Sequence, residues 1–313
     1  MSKKIEKIKE INEKIIKLNK LVQKYRENTD FQISNTLGTI DEKADLMKLL
    51  SIAEKSRVIL KESGRELSAL SFKKRDAAEE TIKMLAFVKE NRKWRDPYLE
   101  VNLLLEWAIY RAYWALGGRI PRGFGPVLNT DGSEPIHTAS GLQPDVLVDF
   151  GDYCLIIEST ISSGPRQYDT EAEPVIRHIA RIIQENRKKG DLRPVYSVFV
   201  ARELDPNVIE YFFIYHAFHK HPLAREYITV IPLTVEQFSV IFRNLMKEDV
   251  PGEKIRDIFE RIQGIKSLRI CKECGGPNLE ANSWYKQVLN IISQRGLLHK
   301  SCKKIGYKKL TNY

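Results

Sequence analysis

The chain has little of what would staple or anchor it. Its 313 residues include only four cysteines, too few for a disulfide framework and spaced for another use. No apolar run reaches the length of a membrane span. The opening MSKKIEKIKE is too charged to supply the apolar region of a signal peptide, so a cytoplasmic protein is expected. Acidic residues are in deficit, 41 Asp and Glu against 51 Lys and Arg, a formal net charge of +10. A hydrophobic content of 42% and a charged content of 29% are those of an ordinary globular protein, long enough for two domains and a sizeable core.

The positive charge is concentrated. From Gln263 to Tyr313 there are ten Lys or Arg and two acids, Glu273 and Glu280, a net of +8. Such a segment is the footprint of a polyanion partner, although a solvated basic tail has the same composition.

The first 95 residues carry no chemical motif. Ile8, Ile11, Ile15, Leu18, Val22 and Tyr25 recur at spacings of three and four, which predicts a helix over 1–27. Two more helices are expected over 41–63 and 66–91, separated at Gly64. Asp96-Pro97 reads as a capped helix start, opening a helix that ends at Gly117-Gly118 with Leu99, Leu103, Trp107, Tyr110 and Trp114 as its core face. Glu106 sits in an otherwise apolar turn of that helix, either on a wet edge or aimed into a site. A loop over 118–143, long enough to be functional, leads to two strands, Asp145–Asp149 and Tyr153–Glu158, turning at Phe150-Gly151-Asp152. Then come a helix over 173–187, a strand over 194–202, a helix over 206–219, a strand over 227–233, and helices over 234–247 and 253–265. This is a mixed α/β order around one sheet.

The hairpin poses the chemical question. Asp145 opens its first strand and Glu158 closes its second. In a hairpin these positions are neighbours, and two adjacent carboxylates repel unless a cation sits between them or each has its own partner. A hard cation such as Mg²⁺ takes oxygen ligands and retains waters. Held there, it serves phosphodiester hydrolysis. The thirteen-residue spacing of Asp145 and Glu158 suits a hairpin of this length. Pro144-Asp145 followed by Glu158-Ser159-Thr160 has the form of a PD-(D/E)XK nuclease motif with Thr in place of Lys.

The stretch PDVLVDFGDYCLIIESTISSGPRQYDTEAEPVIRHI resembles the cleavage domain of the AlwI-type family of type IIS restriction endonucleases, which includes strand-nicking relatives and uses Glu-x-Thr. The resemblance covers about 97–250 and is densest over 144–180. It implies a Mg²⁺-dependent site built from a helix glutamate, the PD aspartate, the strand glutamate and one further glutamate. On this sequence those roles fall to Glu106, Asp145, Glu158 and Glu171, with Glu173 a rival for the last. Asp145 and Glu158 would ligate Mg²⁺ with help from the Ser159 carbonyl, and Glu171 would orient a metal-bound water or help with a second ion. Thr160 cannot supply positive charge, so Arg166, Arg177 or His178 would stabilise the transition state; His178 equally suits a purely structural hydrogen bond. Larger members of the family carry a substantial DNA-reading region ahead of the nuclease, whereas here about 95 helical residues precede it and a cysteine-containing module follows.

That module holds Cys271-x2-Cys274 and His299-x2-Cys302 within 32 residues. Three thiolates and an imidazole in two close pairs form a structural zinc pattern. Lys300, Lys303, Lys304, Lys308 and Lys309 flank it and would contact DNA phosphates. Cys154 lies in an apolar strand and reads as a core thiol.

The expected architecture is therefore α/β: a PD-(D/E)XK core over 96–250, a helical N-terminal unit over 1–95, and a linker helix with a basic Cys3His zinc module over 251–313. The expected function is Mg²⁺-dependent cleavage of double-stranded DNA, of type IIS restriction or strand-nicking kind. A homodimer or a second nuclease or recognition subunit would be needed to cut both strands in one event. Two other readings compete: a non-catalytic zinc-containing DNA-binding subunit of a restriction system, and a repair or junction nuclease on the same core.

Overall fold

The computed structural model describes residues 71–72, 75–92, 99–129, 134–141, 143–265 and 281–299. The helices expected over 1–27 and 41–63, the Asp96-Pro97 helix start, and Cys271, Cys274 and Cys302 lie outside the described residues. The chain divides into two compact units, Met1–Ser68 with Leu128–Glu134, and Ala69–Val127 with Pro135–Tyr313. In the first, the Asn129 N–H donates to the Glu134 carbonyl at 2.9 Å. The second is a mixed α/β structure.

In chain order this second unit runs α1 (Arg75–Lys89), α2 (Val101–Ala115), β1 (Val146–Asp149), β2 (Cys154–Thr160), a one-turn helix (Pro165–Gln167), a π-helical turn (Tyr168–Ala172), α3 (Glu173–Lys188), β3 (Val195–Ala201), α4 (Pro206–Ala217), β4 (Val230–Thr234), α5 (Val235–Leu245), α6 (Pro251–Gly264) and α7 (Ala281–Gln294). The sheet order is β1-β2-β3-β4. The β1–β2 pair is antiparallel; β2–β3 and β3–β4 are parallel. β2 and β3 are central and almost wholly buried, which is why they read as continuous apolar runs rather than alternating ones. β4 is an edge strand, where Pro232 removes no needed donor.

α2 differs from its sequence expectation. It begins at Val101, after a non-helical Leu99 and Glu100. It has no solvent face: Leu103 through Tyr113 are all buried, whereas Leu99 and Trp114 are half-buried. Layers on both sides of this helix override the amphipathic stripe. Arg111, inside this layer, reaches the Glu80 carboxylate of α1 at 2.6 Å and lies over the Phe72 ring, 5.0 Å from its centroid. α1 packs against α2 and α5. β4 starts at Val230, three residues later than expected, since Tyr227 instead bridges Lys220.

The helices following β4 close one face of the sheet. Tyr196 of β3 stacks on Phe259 of α6 at 4.6 Å, and the Tyr153 hydroxyl donates to the Gly252 carbonyl at 2.9 Å. α5 opens with a capping box in which Thr234 and Gln237 satisfy each other's backbone N–H. Gln237 also accepts from the Tyr285 hydroxyl of α7 at 3.0 Å. An apolar pocket lies here between Val198, Ile231, Phe242, Ile258 and Ile292; no carboxylate lines it. Among the described residues, no helix is long and apolar enough to cross a membrane.

Candidate active site

The register of the β1–β2 hairpin builds the site. Val146 pairs with Ile157 and Asp149 with Cys154, so Asp145 falls opposite Glu158, one step beyond the last paired residues. Gly151, at φ +92°, makes the turn, a conformation that costs glycine little. Arg193 fastens the turn end of the hairpin by donating to Asp149 Oδ1 at 2.8 Å and to the Gly151 carbonyl at 2.7 Å.

At the opposite end the acids gather. Asp145 Oδ2 accepts from the Ser159 N–H at 2.7 Å and from the Ser159 hydroxyl at 2.9 Å. Strand alternation turns Glu158 and Thr160 to the face opposite Ser159. There Glu158 Oε1 lies 2.9 Å from His178 Nδ1 of α3, and the Thr160 hydroxyl donates to Glu171 Oε1 at 3.0 Å. Glu106 comes from α2 and is 6% exposed. It is aimed inward, and its Oε2 accepts from the Ala139 N–H at 2.8 Å.

Burial and mutual repulsion move these acids in one direction. The Glu106 carboxyl is pushed up to about 8, first by burial and then by Asp145; the Ala139 N–H opposes the shift. Asp145 rises to about 6, by burial and the Glu171 charge against the two Ser159 donors. Glu158 is raised well above its ordinary range by burial, then by Asp145, Glu171 and Glu106. His178 is lowered by burial and by Arg177 and Arg181. Both shifts favour the neutral forms of the two groups.

Glu171 and Glu173 separate clearly. Glu171 returns to the sheet through the Thr160 hydroxyl, whereas Glu173 is 58% exposed and pairs with Arg177 at 3.5 Å. Arg166 is exposed. Neither Arg166 nor Arg177 has a recorded contact with the four acids among the described residues. Residues that the sequence reading passed over include the Ser159 side chain, the Ala139 N–H and Gln167. Gln167 is fully buried, yet nothing in the periodicity of GPRQYD marks it as interior.

The donor set is all oxygen and mutually repulsive, with Glu106 and Glu158 buried and Asp145 and Glu171 half-buried, which fits a hard divalent cation such as Mg²⁺. Asp145 and Glu158 are the residues that would hold it, with Glu171 and Glu106 beside them. Among the described residues, no three His, Cys, Asp or Glu side chains already converge as a metal cluster; Asp145, Glu158 and Glu171 are each held by hydrogen bonds of their own. Of the other expected metal site only His299 is described, and it is exposed. Lys300, Lys303, Lys304, Lys308 and Lys309 lie outside the described residues. Cys154 is a buried free thiol, raised by burial.

The family model for AlwI restriction endonuclease matches residues 2–241. The crystal structure of the small subunit (R.BspD6I2) of the heterodimeric restriction endonuclease R.BspD6I superposes with a TM-score of 0.46 at 25% identity, covering 68% of this chain and 97% of that one. No curated protein matches the sequence.

Proposed function

The chain belongs to the AlwI restriction endonuclease family, and from that premise we propose that it is a Mg²⁺-dependent DNA endonuclease of type IIS or strand-nicking kind. Its catalytic carboxylates are Glu106, Asp145, Glu158 and Glu171, carried on a PD-(D/E)XK core over 96–250. The observation that carries this reading is the gathering of carboxylates at one end of the sheet, Asp145 on Ser159, Glu158 beside His178 and Glu171 on Thr160, with Glu106 buried in the adjoining α2. A binding-only subunit gains nothing from holding buried acids together against their repulsion.

Asp145 and Glu158 hold the ion. Mg²⁺, when bound there, polarises the scissile phosphate and favours deprotonation of water. Glu171, fixed by the Thr160 hydroxyl, orients a metal-bound water or helps to hold a second ion. His178, 2.9 Å from Glu158, would fix the orientation of that carboxylate. Glu106 completes the carboxylate wall from α2. Thr160 brings no positive charge, so it replaces the usual lysine as a positioning group only.

One such site cuts one strand, so double-strand cleavage calls for a second copy or a second subunit. We further propose that Cys271, Cys274, His299 and Cys302 bind a structural Zn²⁺ within a basic module over 251–313. Its Lys300, Lys303, Lys304, Lys308 and Lys309 would contact the phosphates of double-stranded DNA. The 1–95 segment supplies further DNA or partner contacts, and the protein is cytoplasmic.

The test is cleavage of supercoiled plasmid with Mg²⁺ by the wild type and by Glu158→Ala, resolving nicked from linear product. Discrete product from the wild type and a loss of at least about a hundredfold in the variant are expected, the scale of losing a principal charge-stabilising group. Equal cleavage by the two proteins would refute the assignment. Binding to DNA without cleavage by either would favour the non-catalytic subunit.

A further inference from the structure

We propose that Gln167 is the positioning residue that sets Glu171 in register with Asp145 and Glu158, an inference that rests on the metal-site reading above. Gln167 is fully buried, and its amide makes three hydrogen bonds, all to main chain. Nε2 donates to the Ser162 carbonyl at 2.8 Å and to the Glu203 carbonyl at 2.8 Å. Oε1 accepts from the Asp205 N–H at 2.8 Å. Two carbonyls and one N–H fix the orientation of the amide, because the reversed amide would set oxygen against both carbonyls.

These partners belong to the two loops that leave β2 and β3 at the end where the acids gather. Gln167 therefore clamps one loop to the other. It also stands immediately before the π-helical turn Tyr168–Ala172 that carries Glu171. A π-turn adds a residue to the helical repeat, and such turns recur at functional sites. Gly164, at φ +65°, lets the chain double back into it.

The hydrogen bonds close a circuit. The Ser162 N–H donates to Thr160 Oγ1 at 3.0 Å, and the Thr160 hydroxyl donates to Glu171 Oε1. The Ser162 carbonyl returns to Gln167, which begins the turn that presents Glu171. Releasing Gln167 frees the Ser162 peptide and the start of the π-turn together, so Glu171 loses both its backbone placement and the alignment of its hydroxyl donor. The Gln167 amide bonds to Ser162, Glu203 and Asp205 main chain rather than to any of the four carboxylates; it acts through Thr160 and Glu171. The Asp205 contact extends the clamp, since Asp205 caps α4 by accepting from the Asn207 N–H at 2.8 Å.

The experiment titrates Mn²⁺ into the full-length protein without DNA, following the free-ion electron paramagnetic resonance signal, and compares wild type, Gln167→Met, Glu158→Ala and Thr234→Ala. Methionine is close to glutamine in size and makes none of the three bonds. Thr234→Ala removes a helix cap elsewhere and controls for general loosening. The half-saturating Mn²⁺ concentration of Gln167→Met is expected to rise at least about tenfold, the scale at which residues behind metal ligands act. Thr234→Ala should bind as wild type does, and Glu158→Ala should lose the site. Wild-type binding by Gln167→Met, with loss in Glu158→Ala, would overturn the role of Gln167 alone. An equal weakening in Thr234→Ala would overturn it too, by showing that loosening suffices. Wild-type binding by Glu158→Ala would overturn the metal-site reading and this inference with it. If Gln167→Met does not fold, Gln167→Glu, which keeps the bond to Asp205 and sets oxygen against two carbonyls, is read by the same criteria.

Discussion

Glu106→Gln should stabilise the metal-free protein while removing a group that we assign to catalysis. The Glu106 carboxyl titrates at about 8 in the fold against an ordinary value of 4.5. Between those values the folded state holds a proton that the unfolded state has released. Stability therefore falls as pH rises through that window and changes little outside it. Each unit is worth about 1.4 kcal/mol, so the 2.5 units from 4.5 to 7 amount to about 3 kcal/mol. Part of this shift comes from the charge on Asp145, which is itself protonated below about 6, so about 2–3 kcal/mol is the expected share at pH 7. Glutamine does not titrate, and its carbonyl oxygen can still accept the Ala139 N–H that Glu106 accepts at 2.8 Å. In urea unfolding with EDTA, from pH 4.5 to 8.5, the advantage of the variant should be smallest at pH 4.5, grow steadily, and level off above pH 8. Millimolar Mg²⁺ at pH 7 should narrow it, because an ion held by Asp145 and Glu158 in the folded state offsets the charge on Glu106, which only the wild type carries. A gap independent of pH would refute the electrostatic account, since it would mean that Glu106 is not held protonated by its surroundings.

Two further substitutions examine the framework around the site. Arg111→Ala removes a guanidinium that is 8% exposed from Glu80, which is 33% exposed, and from the rings of Phe72 and Trp107. Urea denaturation should show a loss of about 2–3 kcal/mol, below the ~3–5 kcal/mol of a fully buried pair because Glu80 keeps some water. Thr234→Ala leaves the Gln237 N–H without the hydroxyl it meets at 3.1 Å. It should cost about 1 kcal/mol in the same assay, and Thr234→Ser should restore most of it.

How much of this was legible in the sequence depends on which residues follow from local geometry and which need the whole fold. Asp145 and Glu158 follow from the hairpin, because its turn and strand lengths determine which positions face each other. The same register also gives the two Ser159 donors to Asp145, but only once the strand is known to extend to Thr160 rather than stop at Glu158. Glu106 could not be settled from α2 alone. The helix reads as amphipathic, and only layers on both sides bury Leu103 through Tyr113 and make an inward glutamate unavoidable. Glu171 and Glu173 were indistinguishable because helical spacing assumes a uniform repeat, and the π-helical turn breaks it just before α3. An unbroken α-helix would orient Glu171 differently relative to α3, and only the turn lets it meet Thr160 while Glu173 stays outside with Arg177. Gln167 is the least legible of all. Its burial depends on two loops that are distant in sequence, over 161–164 and 202–205, meeting at the ends of adjacent parallel strands. Three acids of this site are thus a property of the hairpin and one helix, but the fourth, Glu171, and its alignment with them are a property of the β2–β3 crossover. A sequence that kept every carboxylate and lost the turn, the glycine before it or the buried glutamine would keep the motif and lose the geometry.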